Sequence, residues 1–149
     1  MNKALFSSSS TEWETPQWLF DALNARFHFS VDVCATAENA KCPWYFTKEA
    51  DGLRLDWSEY RCWMNPPYGR DIGRWVEKAR HVAERGALVV GLLPVRTDTR
   101  WWQEHVQGHA DLRFLAGRLH FSGVRTGATF PSAIALWWGW PVLAGGFAE

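Results

Sequence analysis

Two hydrophobic periodicities alternate along this chain. Leu19, Ala22, Leu23 and Phe27 recur at helical spacing. Thr15 and Pro16 precede them, a capping residue followed by the residue favoured at the first helical position. Phe29 to Val33 then alternates as a buried strand running into Asp32-Val33-Cys34-Ala35. The pattern next predicts a short helix over 36–41, a brief strand around Tyr45-Phe46 and a loop, Ala50-Asp51-Gly52-Leu53. Arg61 to Met64 reads as a strand that delivers Asn65 at its carboxyl end. The clearest helix follows, with Ile72, Trp75, Val76, Ala79, Val82 and Ala83 on one face and Gly86 as its stop. Ala87 to Leu93 is apolar throughout, the pattern of a central strand covered on both faces. Thr97 or Asp98 can cap a further helix reaching Val106.

The last third changes character. Arg113 to Leu115, Leu119 to Phe121 and Ser132 to Trp138 read as strands with no helix between them. The expected fold is therefore α/β: a mostly parallel central sheet, helices on both faces and a C-terminal antiparallel hairpin. Residues 1–10, polar and serine-rich, are expected to be mobile. Residues 11–149 form one domain, with no room for a separate target-recognition domain. In open α/β sheets ligands bind beyond the carboxyl ends of the strands. Asp32, Asp51 and Asn65 all fall there, so they should share one site. An acidic side chain in that place can accept hydrogen bonds from the ribose or adenine of a nucleotide-like cofactor, or pair with an ammonium group.

The segment Asn65-Pro66-Pro67-Tyr68 carries the most specific chemistry. An exocyclic amine on a base is a poor nucleophile because its lone pair is delocalised into the ring. Two acceptors aimed at its two N–H bonds localise that pair and stabilise the charge that develops. Asn65 offers a side-chain carbonyl and Pro66 a main-chain carbonyl. The two prolines lock φ, remove two N–H donors and bias Asn65 towards an extended conformation. Tyr68 offers a flat face on which a flipped base can stack. The segment therefore suggests a methyl-transfer site.

Composition narrows the field. A chain of 149 residues, 47% hydrophobic and 21% charged, is one ordinary globular domain. It has no apolar run as long as a membrane span and no basic-then-apolar leader pattern, so a cytoplasmic protein is expected. Cys34, Cys42 and Cys62 form no CxxC pair, which argues against a disulfide framework or a zinc knuckle. His105 and His109 have the spacing of helical metal ligands but lack a partner, so they read as surface residues and no metal is expected. Net charge is zero but uneven: residues 1–60 hold five basic and nine acidic side chains, residues 61–100 eight and four. Arg61, Arg70, Arg74, Arg96 and Arg100 are the candidate phosphate contacts. Lys78, Arg80 and Arg85 interleave with Glu77 and Glu84 and read as a solvated helix face. Of the eleven tryptophans, Trp18, Trp75, Trp137 and Trp138 fall at core-facing positions. Trp101 and Trp102 follow a basic loop and either stack on bases or belong to the core.

Taken in order, the blocks resemble the phage-type DNA N-6-adenine methyltransferases over residues 11–140. "ETPQWLFDAL" (14–23), "DVCATAENAKC" (32–42), "ADGLRLDW" (50–57), "WMNPPYG" (63–69), "GRLHFSG" (117–123) and "FPSAIALWW" (130–138) carry the resemblance. It implies a Rossmann-like S-adenosylmethionine-dependent fold. Thr15, Pro16, Asp32, Cys34, Ala35, Asp51 and Asn65 would hold the cofactor. Asn65, Pro66, Pro67 and Tyr68 would form the catalytic block, with Phe121 or Phe130 covering the other face of the base. Arg70, Arg96, Arg100, Trp101 and Phe121 would meet DNA, with sequence reading left to loops 94–104 and 122–131. One departure stands out: the first cofactor loop has no Gly-x-Gly, and Ala35 and Thr36 occupy that stretch. The resemblance further implies a monomer or weak dimer working in a bacterial or phage-infected cell. Asn-Pro-Pro-Tyr also occurs in enzymes that methylate a protein glutamine amide or an RNA base. A non-catalytic DNA-binding module, or a tryptophan-rich sugar binder, is the alternative from another class.

Overall fold

The computed structural model describes residues 13–139. The segment expected to be mobile, 1–10, and the end of the expected domain lie outside the described residues. The elements are α1 (Gln17–Phe27), β1 (Val31–Asp32), a 3-10 turn (Gly52–Arg54), β2 (Arg61–Met64), α2 (Ile72–Glu84), β3 (Leu88–Pro94), α3 (Arg100–His105), β4 (Asp111–Phe114) and β5 (Ser132–Trp138).

The five strands form one mixed sheet in the order β1-β2-β3-β5-β4. β1 with β2 and β2 with β3 are parallel; β3 with β5 and β5 with β4 are antiparallel. The longest ladder, from Leu88↔Trp138 to Pro94↔Ser132, is antiparallel. The expectation of a mostly parallel sheet is thus corrected. β5 is reached from β4 without a crossover helix, so it can only return antiparallel, and it lands against the central strand rather than at the edge.

Trp63 and Met64 are neighbours on β2 and point to opposite faces. Phe20 of α1 meets the Trp63 ring edge-on at 5.7 Å. On the other face Trp57 stacks on Trp75 of α2 at 6.0 Å, and Trp137 Nε1 donates to the His105 carbonyl at the end of α3 (2.8 Å). Helices therefore cover both faces. α2 forms where its apolar stripe predicts: Ile72, Trp75, Val76, Ala79, Val82 and Ala83 are all buried, and each large side chain among them stabilises by on the order of 1.5–3 kcal/mol. Gly91 on β3 lies between Met64 and Trp137, whose atoms would be 3.0 and 3.1 Å from an added Cβ.

Several expected elements shift or vanish for identifiable reasons. α1 starts one residue late, with Pro16 at the cap and no side-chain cap bond, because the Thr15 hydroxyl is engaged elsewhere. β1 is two residues rather than five: His28 closes α1 in the left-handed region and Asn24 Oδ1 takes the Phe29 N–H (2.8 Å), removing it from any ladder. Residues 36–41 make a single turn instead of a helix. There Thr36 and Asn39 side chains accept from each other's backbone N–H (3.2 and 2.7 Å), and the Lys41 N–H is drawn to Asp32. Tyr45 contributes only an isolated bridge to Asp32. Thr99, not Thr97 or Asp98, caps α3 by accepting from Trp102 N (3.3 Å). Residues 119–121 are not a strand, since their backbone bonds go to loops: Ala128 N to Leu119 O, and Val124 N to Phe121 O.

Candidate functional site

A cleft of about 660 Å³ opens beyond the carboxyl ends of β1 and β2, within the size range of small-molecule sites. Its floor includes Asp32, Trp63, Asn65, Pro66 and Pro67; its walls include Thr15, Cys34, Ala35, Asp51 and Gly52. These residues come from four separate blocks of sequence, and the fold brings them together as expected.

Asn65 is held by the chain segment before α1. Its Nδ2 donates to the Trp13 carbonyl and, at 2.9 Å, to Thr15 Oγ1. The Trp13 carbonyl can only accept, so the amide nitrogen must face it and Oδ1 must face away. Oδ1 is buried without a partner, one of two such side-chain atoms among the described residues. A buried acceptor left open is costly in a native structure and points to a donor supplied from outside.

Asp32 is buried. Its carboxylate accepts from Lys41 N at 3.0 Å and Cys34 N at 3.2 Å, which folds residues 34–41 around it. Burial is the largest influence on this carboxyl and raises its pKa to about 6, although both N–H groups and the Lys41 charge work in the opposite direction. The Asp51 loop is fixed from α2. Gly52 approaches Val33 so closely that an added Cβ would lie 2.3 Å from the Val33 carbonyl oxygen. Trp57 Nε1 donates to Gly52 O at 2.8 Å. Lys78 donates to Leu53 O at 2.7 Å and to Leu55 O, with its ammonium 5.1 Å from the Trp57 ring centroid. Lys78 is therefore a loop anchor, not part of a solvated face, and burial lowers its pKa. The glycine that brings backbone close to the site is Gly52, in the second loop; the first loop achieves its turn with side-chain bonds instead.

Other expected residues are placed differently. Tyr68 is buried rather than an open platform. Its hydroxyl donates to Leu92 O at 2.9 Å, and its ring meets Phe121 at 6.2 Å and Phe130 at 5.7 Å. Burial raises its pKa well above the usual phenol value. Trp13 completes this aromatic cluster, 5.2 Å from Phe121 and 5.4 Å from Phe130. Phe121 is buried, and Pro16 is buried without lining the cleft. Trp102 belongs to the core and Trp101 is half-buried, its Cβ 3.3 Å from where a Gly73 side chain would begin. Trp18, expected in the core, is 63% exposed. Arg61 Nε donates to the Phe27 carbonyl, a structural role. Arg70, Arg96 and Arg100 are exposed, and Arg100 pairs with Glu104 at 3.1 Å. His105 is not a surface residue: its side chain is 12% exposed, 3.6 Å from Glu77, and burial lowers its pKa.

Three contributors, Trp13, Ser122 and Lys41, escape sequence reading. Trp13 and Ser122 are joined through the 13–15 segment, with Ser122 N bonded to Glu14 O at 3.0 Å and Ser122 Oγ to Thr15 O at 3.4 Å. Lys41 and Arg74 bring positive charge to the cleft wall. Arg74 was expected as a phosphate contact, and its place on the cleft wall is the new observation.

The mixed α/β sheet thus gathers acidic and amide side chains in one cleft past the ends of its parallel strands. The chain belongs to the DNA N-6-adenine-methyltransferase (Dam) family, whose model matches residues 4–134. It is 30% identical over 118 residues to a DNA N-6-adenine-methyltransferase of Haemophilus phage HP1, covering 77% of this chain and 68% of that one. It is 31% identical over 110 residues to a DNA N-6-adenine-methyltransferase of Escherichia phage T1, covering 72% of this chain and 45% of that one. A third relative is the putative methyltransferase YfdM of Escherichia coli K12, 38% identical over 64 residues, 38% of this chain and 70% of that one.

Proposed function

We propose that this protein transfers a methyl group from S-adenosylmethionine to the exocyclic N-6 amine of adenine in DNA. The observation that carries the reading is the open, buried Asn65 Oδ1 next to Pro66. It is an acceptor with its orientation already fixed, at the edge of a cleft that also holds Asp32 and Asp51. When bound, S-adenosylmethionine supplies an electrophilic methyl group on its sulfonium.

The chain's residues have distinct tasks. Asp32 and Asp51 accept hydrogen bonds from hydroxyl or amine donors of the cofactor, and Cys34 and Ala35 line its channel. Oδ1 of Asn65 and the carbonyl of Pro66 accept the two N–H bonds of the target amine and concentrate its lone pair. No general base is needed before attack, because the amine becomes acidic only as the new N–C bond forms and the S–C bond breaks; the proton it then releases passes to solvent. The base's stacking partner is Tyr68, and entry of adenine requires Phe121 or Phe130 to move off its ring. Arg70, Arg74, Arg96 and Arg100 contact phosphates, an affinity that falls steeply with salt. Acting on phage or host DNA, the enzyme works in the bacterial cytoplasm.

The test is a competition. Purified protein receives cofactor labelled in its methyl group together with unmethylated DNA, RNA and a glutamine-bearing protein. The reading expects label in DNA alone; label in RNA or protein overturns it.

A further inference from the structure

We propose that Thr15, acting with the Trp13 carbonyl, is the positioning residue that fixes which way the Asn65 amide faces, and so makes asparagine rather than aspartate the residue this site requires. The consequence for rate rests on the methyltransferase reading above; the geometry does not.

A side-chain amide can sit in two orientations related by a half-turn, with nitrogen and oxygen exchanged. Here both groups on one side of it are acceptors: the Trp13 carbonyl and Thr15 Oγ1, the latter 2.9 Å from Nδ2. Both amide protons are used there. A half-turn would press Oδ1 against the Trp13 carbonyl oxygen and leave at most the Thr15 hydroxyl to donate to it, so Oδ1 is held on the opposite side, where it is buried and open. Thr15 is itself 2% exposed, and its own carbonyl is tied to Ser122 Oγ at 3.4 Å. The clamp is rigid before any substrate arrives, as a group that must meet a developing charge requires. An aspartate at this position would have no proton for the Trp13 carbonyl, although the Thr15 hydroxyl could turn to donate to it. One of its oxygens would face the Trp13 carbonyl, a repulsion relieved only by protonation.

Three variants test this: Thr15→Val, which removes the acceptor at constant shape; Thr15→Ser, which restores it; and Asn65→Asp. The readout independent of turnover is hydrogen exchange of the Asn65 side-chain amide protons, followed by NMR in the protein without substrates. Both protons should be protected in the parent, and one should exchange about tenfold faster in Thr15→Val, with protection regained in Thr15→Ser. For methylation, Thr15→Val should lower kcat about tenfold with KM for the cofactor little changed, and Thr15→Ser should recover most of the rate. Asn65→Asp should be nearly inactive at neutral pH and gain activity as the pH falls, the reverse of the parent. Unchanged exchange in Thr15→Val overturns the positioning role. So does a loss confined to the cofactor's KM, which would make Thr15 a cofactor contact only. A parent protein that methylates no DNA defeats the functional reading while the exchange result still decides the positioning one.

Discussion

Asp32 makes cofactor binding pH-dependent in a window set by its burial. Asp32 is 3% exposed, and burial raises its carboxyl pKa from 3.8 to about 6. Only the ionised form has free lone pairs on both oxygens for cofactor donors while it keeps the Lys41 and Cys34 N–H bonds. At pH 7 about nine-tenths of the sites are ionised and at pH 5 about one-tenth, so affinity should fall about tenfold between those values. Among the described residues no histidine lines the cleft. The assay is calorimetric titration with S-adenosylmethionine at half-unit steps from pH 7.5 to 5, on the parent and on Asp32→Asn. The variant should bind weakly and with no slope. A flat parent profile, or the same slope in the variant, refutes the reasoning. The same ionisation bears on stability with a definite sign. A raised acid pKa means that the folded state holds its proton more tightly than the unfolded one. The contribution is therefore fully present below about pH 4 and lost as the pH rises through about 6, on the order of 3 kcal/mol across the window. Parent-minus-variant unfolding free energies, measured in urea, should show that fall.

Other perturbations separate the parts of the site. Gly52→Ala places a Cβ 2.3 Å from the Val33 oxygen, so the Asp51 loop must move; a stability loss of about 1–3 kcal/mol is expected, read by thermal melting, together with weaker cofactor binding. Lys78→Met leaves the Leu53 and Leu55 carbonyls without their ammonium donor; cofactor affinity should drop although residue 78 lies outside the cleft lining, and titration calorimetry will detect it. Thr99→Ala removes the α3 cap and should cost about 1 kcal/mol in urea unfolding while leaving cofactor affinity as in the parent.

The sequence made the site more legible than the sheet. α2 and β3 were readable because a one-sided apolar stripe and an unbroken apolar run each admit few alternatives. Asn65 and Asp51 were readable because strand ends and Asn-Pro-Pro-Tyr carry local chemistry. β5 was recognisable as an antiparallel strand, but its place beside the central strand was not, since a run of apolar residues does not name its neighbours. Thr15 looked like a helix cap, the usual use of a threonine before proline. Its true partner lies fifty residues away, and no local pattern encodes that distance. Tyr68 was expected as a stacking surface, but its aromatic neighbours Trp13, Phe121 and Phe130 come from distant segments that only the fold assembles. Lys78 read as solvated because it alternates with glutamates, whereas its contacts are backbone carbonyls of another loop.

The central claim is that Asn65 presents an open acceptor to an adenine amine. Its most direct test is nucleoside mass spectrometry of unmethylated DNA after incubation with the protein and S-adenosylmethionine, with Asn65→Ala in parallel. The account predicts N-6-methyladenine with the parent and a loss of at least about a hundredfold with the variant. Methylated adenine at comparable levels from both proteins would contradict it.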